Sequence, residues 1–244
     1  MRATVVVFPG INADAEMVRT LRGVCGLSTT VIRHTETELP AGTDLVAIPG
    51  GFCYGDYLRA GAIAKVAPII GAIVRHANRG GYVLGVCNGF QILTEVGLLP
   101  GALTRNKSMQ FACGDVYVKV GAVGPYTPQV DAVWRLPIAH GEGRYQATPA
   151  VLAELEQSGR IALQYCEKDG AITEASNPNG ADKNIAALYG GPRKNVFGIM
   201  PHPERMSEAI LGGIDGRIPF DAVIVAGGAA GGVHATAPAA HTVG

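Results

Sequence analysis

The chain has 244 residues, 16% of them charged, and a formal net charge of +0; that is enough length for one full core, and the balance of charge gives no basic footprint for nucleic acid or an anionic membrane. Apolar stretches such as residues 66–74 are broken by proline or glycine and are too short to span a bilayer. The five cysteines, Cys25, Cys53, Cys87, Cys113 and Cys166, include no Cys-x-x-Cys pair and no metal-like spacing, so no metal site is expected and the odd, scattered set points to a reducing, cytoplasmic compartment.

The amino terminus lacks a signal-peptide pattern, and residues 4–8 read as a short buried strand. A helix over 15–24, closed by Gly26, leads to strands at 29–34 and 45–48. The second of these runs into Pro49-Gly50-Gly51-Phe52, where bare glycine backbone can bring an N–H close to a developing oxyanion; a double glycine after a strand is also an ordinary turn signal. Residues 63–78 read as helical, with Pro68 marking a kink or a fresh start. A strand at 82–86 then feeds Gly85-Val86-Cys87-Asn88-Gly89 and a helix over 89–96. This is a nucleophile elbow: the chain leaves a buried strand, turns sharply at the thiol and enters a helix, whose amino terminus favours thiolate. Asn88, the residue after the nucleophile, supplies a second oxyanion donor. Cys53 also follows glycines but has no strand-to-helix transition beside it. Cys25 and Cys166 read as packing residues. The strand-helix alternation argues for a doubly wound, mostly parallel α/β sheet with loops converging at the strands' carboxyl ends.

After Pro100 the pattern changes. Residues 116–120 and 130–136 read as a small antiparallel extension, 149–158 as a helix, 161–165 and 185–189 as strands, and 168–183 as a polar surface loop. A turn at 190–195 leads into Val196-Phe197-Gly198-Ile199-Met200-Pro201-His202-Pro203-Glu204-Arg205. Each proline restricts the residue before it, which predicts an extended stretch in which His202 and Glu204, two apart, project to one side. A Cys, a His and a Glu assembled from strand ends follow the triad logic of acyl transfer. His140 and Glu142 form a second His-x-Glu pair and compete for that role. A last helix falls within 210–225, which closes a domain over residues 1–225. From 226 to 244 the composition collapses to mostly Gly, Ala, His, Thr and Pro, which predicts a disordered tail.

Pro49-Gly50-Gly51-Phe52 continuing to Tyr54-Gly55-Asp56-Tyr57-Leu58-Arg59-Ala60-Gly61, the elbow through Gln91, Pro137-Ile138-Ala139-His140-Gly141-Glu142-Gly143 and Pro201-His202-Pro203-Glu204-Arg205 together resemble the class I glutamine amidotransferases. Among them the chain is similar to the separate glutaminase subunits of phosphoribosylformylglycinamidine synthase, from purine biosynthesis. The resemblance covers residues 4–220 and implies a flavodoxin-like fold and hydrolysis of glutamine to glutamate and ammonia. It assigns Cys87, His202 and Glu204 to catalysis, the backbone amides of Gly51 and Asn88 to the oxyanion hole, and Gln91 to holding the substrate. His140 and Glu142 fall to the periphery or a partner interface. Arg59 and Arg105 are candidates for the substrate carboxylate or the synthetase, against ordinary surface ion pairs. Ile11 stands where the family usually has a small polar residue, a departure that the resemblance connects with partner contacts. The implied partners are a large synthetase subunit and a small accessory subunit. No Walker A sequence is present, so no cofactor is expected on this chain, and ATP and Mg belong to the synthetase. Two other classes fit parts of the pattern: a free-standing cysteine hydrolase, which needs a more open cleft, and a glutamine sensor, which would lack the nucleophile or its base.

Overall fold

The computed structural model describes residues 1–51 and 64–230. Cys53, Arg59 and the Tyr54–Gly61 motif lie outside the described residues, as does the tail from 231 onward. Among the described residues nine strands form one sheet, in the order β2-β1-β3-β4-β11-β10-β9-β6-β7. β1 (Arg2–Val7), β2 (Ser28–Arg33), β3 (Leu45–Ile48), β4 (Tyr82–Val86) and β11 (Val196–Ile199) pair in parallel. β10 (Ile185–Gly190), β9 (Ile161–Cys166), β6 (Ala112–Val120) and β7 (Val133–His140) continue the sheet antiparallel. A separate ladder joins β5 (Ala102–Thr104) to β8 (Arg144–Gln146). The doubly wound α/β class is therefore as the sequence predicts, and the antiparallel part supplies four strands of the main sheet.

The two halves differ in how they are buried, and the sequence shows why. Every residue of β3 and of β11 is buried, as expected for parallel strands covered on both faces, which read as unbroken apolar runs. β7 instead alternates, with Trp134, Leu136, Ile138 and His140 on the buried face. The expected end at Leu136 was too early because Pro137 looks like a strand breaker. β7 is the outermost strand, where a missing N–H leaves no ladder bond unmade. The extension carries His140 to the strand's end.

Helices flank the sheet: α1 (Asp14–Val18), α2 (Ile70–Asn78), α3 (Asn88–Glu95), α4 (Pro149–Gln157) and α5 (Ile218–Ala230). α1 passes into a π-helical turn over Arg19–Val24, which buries Thr20 and Leu21. α2 begins at Ile70, a fresh start after Pro68, while residue 63 lies outside the described residues. α3 packs against β3, β4 and β11. α5 runs five residues past the compositional boundary at 225, because Gly227 lies directly against Met1 and near Tyr82 and so gives the glycine-alanine run a tertiary partner.

Candidate active site

The carboxyl ends of β3, β4 and β11 lie side by side and each delivers one part of the site. Cys87 follows β4 and precedes α3, with φ 52° and ψ −104°. A side-chain-bearing residue in that region is strained by about 1–3 kcal/mol, and such strain collects at functional positions. The glycines of the elbow explain how the corner closes. A Cβ on Gly85 would lie 2.6 Å from the Gly89 carbonyl oxygen, and one on Gly89 would overlap the Ile48 carbonyl. Bare backbone at both positions lets the first turn of α3 seat between β3 and β4.

Gly50 faces Cys87 directly: a Cβ there would sit 2.9 Å from Cys87 Cβ and 2.8 Å from His202 Cε1. Gly51 is turned instead toward the 8–13 loop, where a Cβ would lie 2.5 Å from the Asn12 nitrogen and 2.8 Å from the Gly10 oxygen. The Ala13 N–H donates to the Gly50 carbonyl at 3.1 Å, and Ile11 bridges to Gly51. Ile11 is thus a core residue supporting the double glycine, which accounts for an apolar side chain in this loop.

His202 and Glu204 are brought together by a tight turn and not by an extended strand. His202 keeps φ −102° and ψ 86°, as its following proline requires, but Pro203–Met206 is a 3₁₀ turn with proline at its first position, where no N–H is needed. His202 Nδ1 donates to Glu204 Oε1 at 2.6 Å, with the residues 1% and 2% exposed. The Glu204 carbonyl accepts from Thr20 Oγ1 of the π-helical turn and from Ser207 Oγ, which anchors the turn from below. The backbone N–H of His202 donates to the Pro137 carbonyl of β7 at 2.8 Å. Burial opposes a charged imidazole, but the Glu204 carboxylate and the Cys87 side chain outweigh it and hold the His202 pKa up at about 10. Nε2 makes no hydrogen bond among the described residues, leaving it for proton exchange with a thiol or a leaving group.

The competing pair does not form. His140 is buried, its Nε2 accepts from Asn179 Nδ2 at 3.1 Å, and Nδ1 has no hydrogen-bond partner among the described residues. Burial first, then the charge of His202, lower its pKa to about 3, so it stays neutral. The Glu142 carboxylate lies 3.7 Å from Arg105, whose side chain is 61% exposed. Asn88 is buried at the start of α3, and its Nδ2 donates to Gln91 Oε1 at 3.0 Å; Gln91 Nε2 donates in turn to the Glu142 carbonyl at 2.9 Å. Cys25 and Cys166 behave as packing thiols, both pushed up to about 11, chiefly by burial. No cluster of three His, Cys, Asp or Glu side chains that could hold a metal occurs among the described residues. Asn106 and Asn179 escaped the sequence reading: both are almost fully buried, yet each sits amid turn-forming residues that signal a surface loop.

A strained thiol over a parallel sheet, faced by a buried His-Glu pair, is the arrangement of a glutamine amidotransferase, and the CobB/CobQ-like glutamine amidotransferase domain matches residues 1–213. Phosphoribosylformylglycinamidine synthase subunit PurQ of Gloeobacter violaceus is 51% identical over 92% of this chain and 97% of its own. The same subunit of Bradyrhizobium diazoefficiens is 51% identical over 89% of this chain and 94% of its own. A chain in the structure of PurLQS from Thermotoga maritima is similar with a TM-score of 0.80 at 37% identity, over 92% of this chain and 98% of that one. The chain belongs to the PurQ family of glutamine amidotransferases.

Proposed function

We propose that Cys87, His202 and Glu204 carry the glutaminase half-reaction of phosphoribosylformylglycinamidine synthase. As a member of the PurQ family, the chain is the glutaminase subunit of that enzyme and serves purine biosynthesis. His202 accepts the Cys87 thiol proton, and the thiolate attacks the side-chain carboxamide carbon of glutamine. The tetrahedral oxyanion is met by the backbone amides of Gly51 and Asn88; losing one such donor costs about 10²–10³ in rate. His202 then gives its proton to the departing ammonia, leaving a γ-glutamyl thioester. Water attacks the thioester with His202 as base, and glutamate is released. Glu204 keeps the imidazole in the Nδ1–H tautomer and stabilises its charge. Gln91 holds the substrate by exchanging one of its present hydrogen bonds for the ligand.

The observation that carries this reading is the 2.6 Å His202–Glu204 bond, buried beside a cysteine in left-handed backbone. ATP and Mg act on a large synthetase subunit, and a small accessory subunit completes the assembly, in the cytoplasm. Residues 1–225 form the amidotransferase domain, carried on by α5 to Ala230. Arg105, and Arg59 outside the described residues, are candidates for the substrate carboxylate or the synthetase, against ordinary surface ion pairs such as that of Arg105 with Glu142. The test is Cys87→Ala assembled with the synthetase. It should lose glutamine-dependent formation of formylglycinamidine ribonucleotide and keep the ammonium-driven reaction; equal loss of both would refute the assignment.

A further inference from the structure

One buried network runs from the loop after β9 to the helix that carries the nucleophile. Asn179 Nδ2 donates to His140 Nε2 at 3.1 Å, to the Gly143 carbonyl at 2.9 Å and, more weakly, toward the Tyr165 hydroxyl at 3.4 Å, while its Oδ1 accepts from the Ala181 N–H at 3.0 Å. The amide is thus fixed in one orientation, and as a donor it obliges His140 Nε2 to accept, which places the His140 proton on Nδ1. From the other side Asn106 Nδ2 donates to the His140 carbonyl at 2.9 Å, and Asn106 Oδ1 accepts from the Gly143 N–H at 3.0 Å. The turn at 141–143 is thereby clamped by two buried amides. Its Glu142 carbonyl receives Gln91 Nε2, and Gln91 Oε1 receives Asn88 Nδ2, next to Cys87. A carbon at Gly143 would strike the His140 ring, so turn and imidazole fit as one piece.

We propose that Asn179 is a positioning residue of the glutaminase site: it locks neutral His140 and the 141–143 turn, and through them sets Gln91 and Asn88 beside the nucleophile. Burial alone does not account for so many directed bonds converging on one turn, since an apolar plug of equal volume would fill the space without presenting a carbonyl to Gln91. The low proton affinity of His140 agrees with this role, because a charged ring could not accept from Asn179.

The inference rests on the glutaminase reading above and is tested in the assembled complex with Asn179→Asp, which keeps the size and the Ala181 bond but removes the donor. Glutamine-dependent kcat/KM should fall about 10- to 100-fold, as for displaced positioning groups, with the ammonium-driven rate unchanged. Cys87 should react with iodoacetamide at the wild-type rate but with a glutamine-shaped chloroketone correspondingly more slowly. A purely structural defect would change both alkylations. The double variant Asn179→Asp with Gln91→Ala should be no worse than the weaker single variant, because both interrupt one chain of contacts. Should Asn179→Asp fail to fold, Asn179→Ser is read by the same pair of alkylators. Unslowed chloroketone labelling, equal slowing of both reagents, or multiplicative losses in the double variant would overturn the positioning role alone. Chloroketone labelling of the wild-type chain at a cysteine other than Cys87 would overturn the glutaminase reading and this inference with it.

Discussion

The backbone N–H of Cys87 donates to the carbonyl of Ile199 at 2.8 Å, tying the last residue before α3 to the last residue of the histidine strand. The parallel register of Val86 against Ile199 continues into this bond, so Cys87 and the loop carrying His202 leave the sheet together.

Glu204→Gln keeps the volume of the turn but removes the charge that favours imidazolium. Turnover with glutamine should fall by about 10³–10⁴, as when the orienting carboxylate of a triad is neutralised. Steady-state kinetics beside a binding measurement with glutamine check this, and a variant that binds weakly but turns over normally would contradict it.

Gly50→Ala places a methyl 2.8 Å from His202 Cε1 and 2.9 Å from Cys87 Cβ. Shifting either group by about 1 Å costs on the order of 10²-fold in rate, so kcat should drop by that factor while the thermal midpoint moves little. A large fall in the midpoint with retained specific activity would mean that the sheet yields instead of the site.

Cys87→Gly and Cys87→Ala should both abolish glutaminase activity but differ in stability. Glycine relieves the positive-φ strain that alanine retains. Urea unfolding should find the glycine variant more stable than the alanine variant by about 1 kcal/mol or more. Equal midpoints would show that the elbow is not strained.

His140 is neutral when folded, with a pKa of about 3, but titrates near 6.5 when unfolded. Between these values the unfolded chain binds the extra proton, so stability falls as pH drops from about 6.5 toward 3, by up to about 1.4 kcal/mol per unit. His202 acts in the opposite sense: its raised pKa stabilises the fold fully below about 6.5 and is lost as pH climbs through about 10. Chemical unfolding across pH should therefore show a flatter acid limb in His140→Gln and a flatter alkaline limb in Glu204→Gln. Parallel curves for wild type and variants would rule out both linkages.

Periodicity and punctuation along the chain dictate much of its local structure. The unbroken apolar runs at 45–48, 82–86 and 196–199 identify buried parallel strands, and glycines two residues either side of Cys87 mark a corner only bare backbone can close. Those signals are local, because they arise from steric demands within a few residues. Which His-x-Glu pair closes into a hydrogen bond is not local. The 140 and 202 segments present the same residue types, and only packing decides: Asn179 takes the ring of His140, Arg105 faces Glu142, and a 3₁₀ turn closes His202 onto Glu204. The same holds for Asn106 and Asn179, whose turn-forming neighbours hide that tertiary contacts bury them. Sequence thus determined the strands, the corner at Cys87 and the set of candidates; tertiary structure decided which of them meet, because a side chain's hydrogen-bond partner depends on what the rest of the chain brings within 3 Å of it.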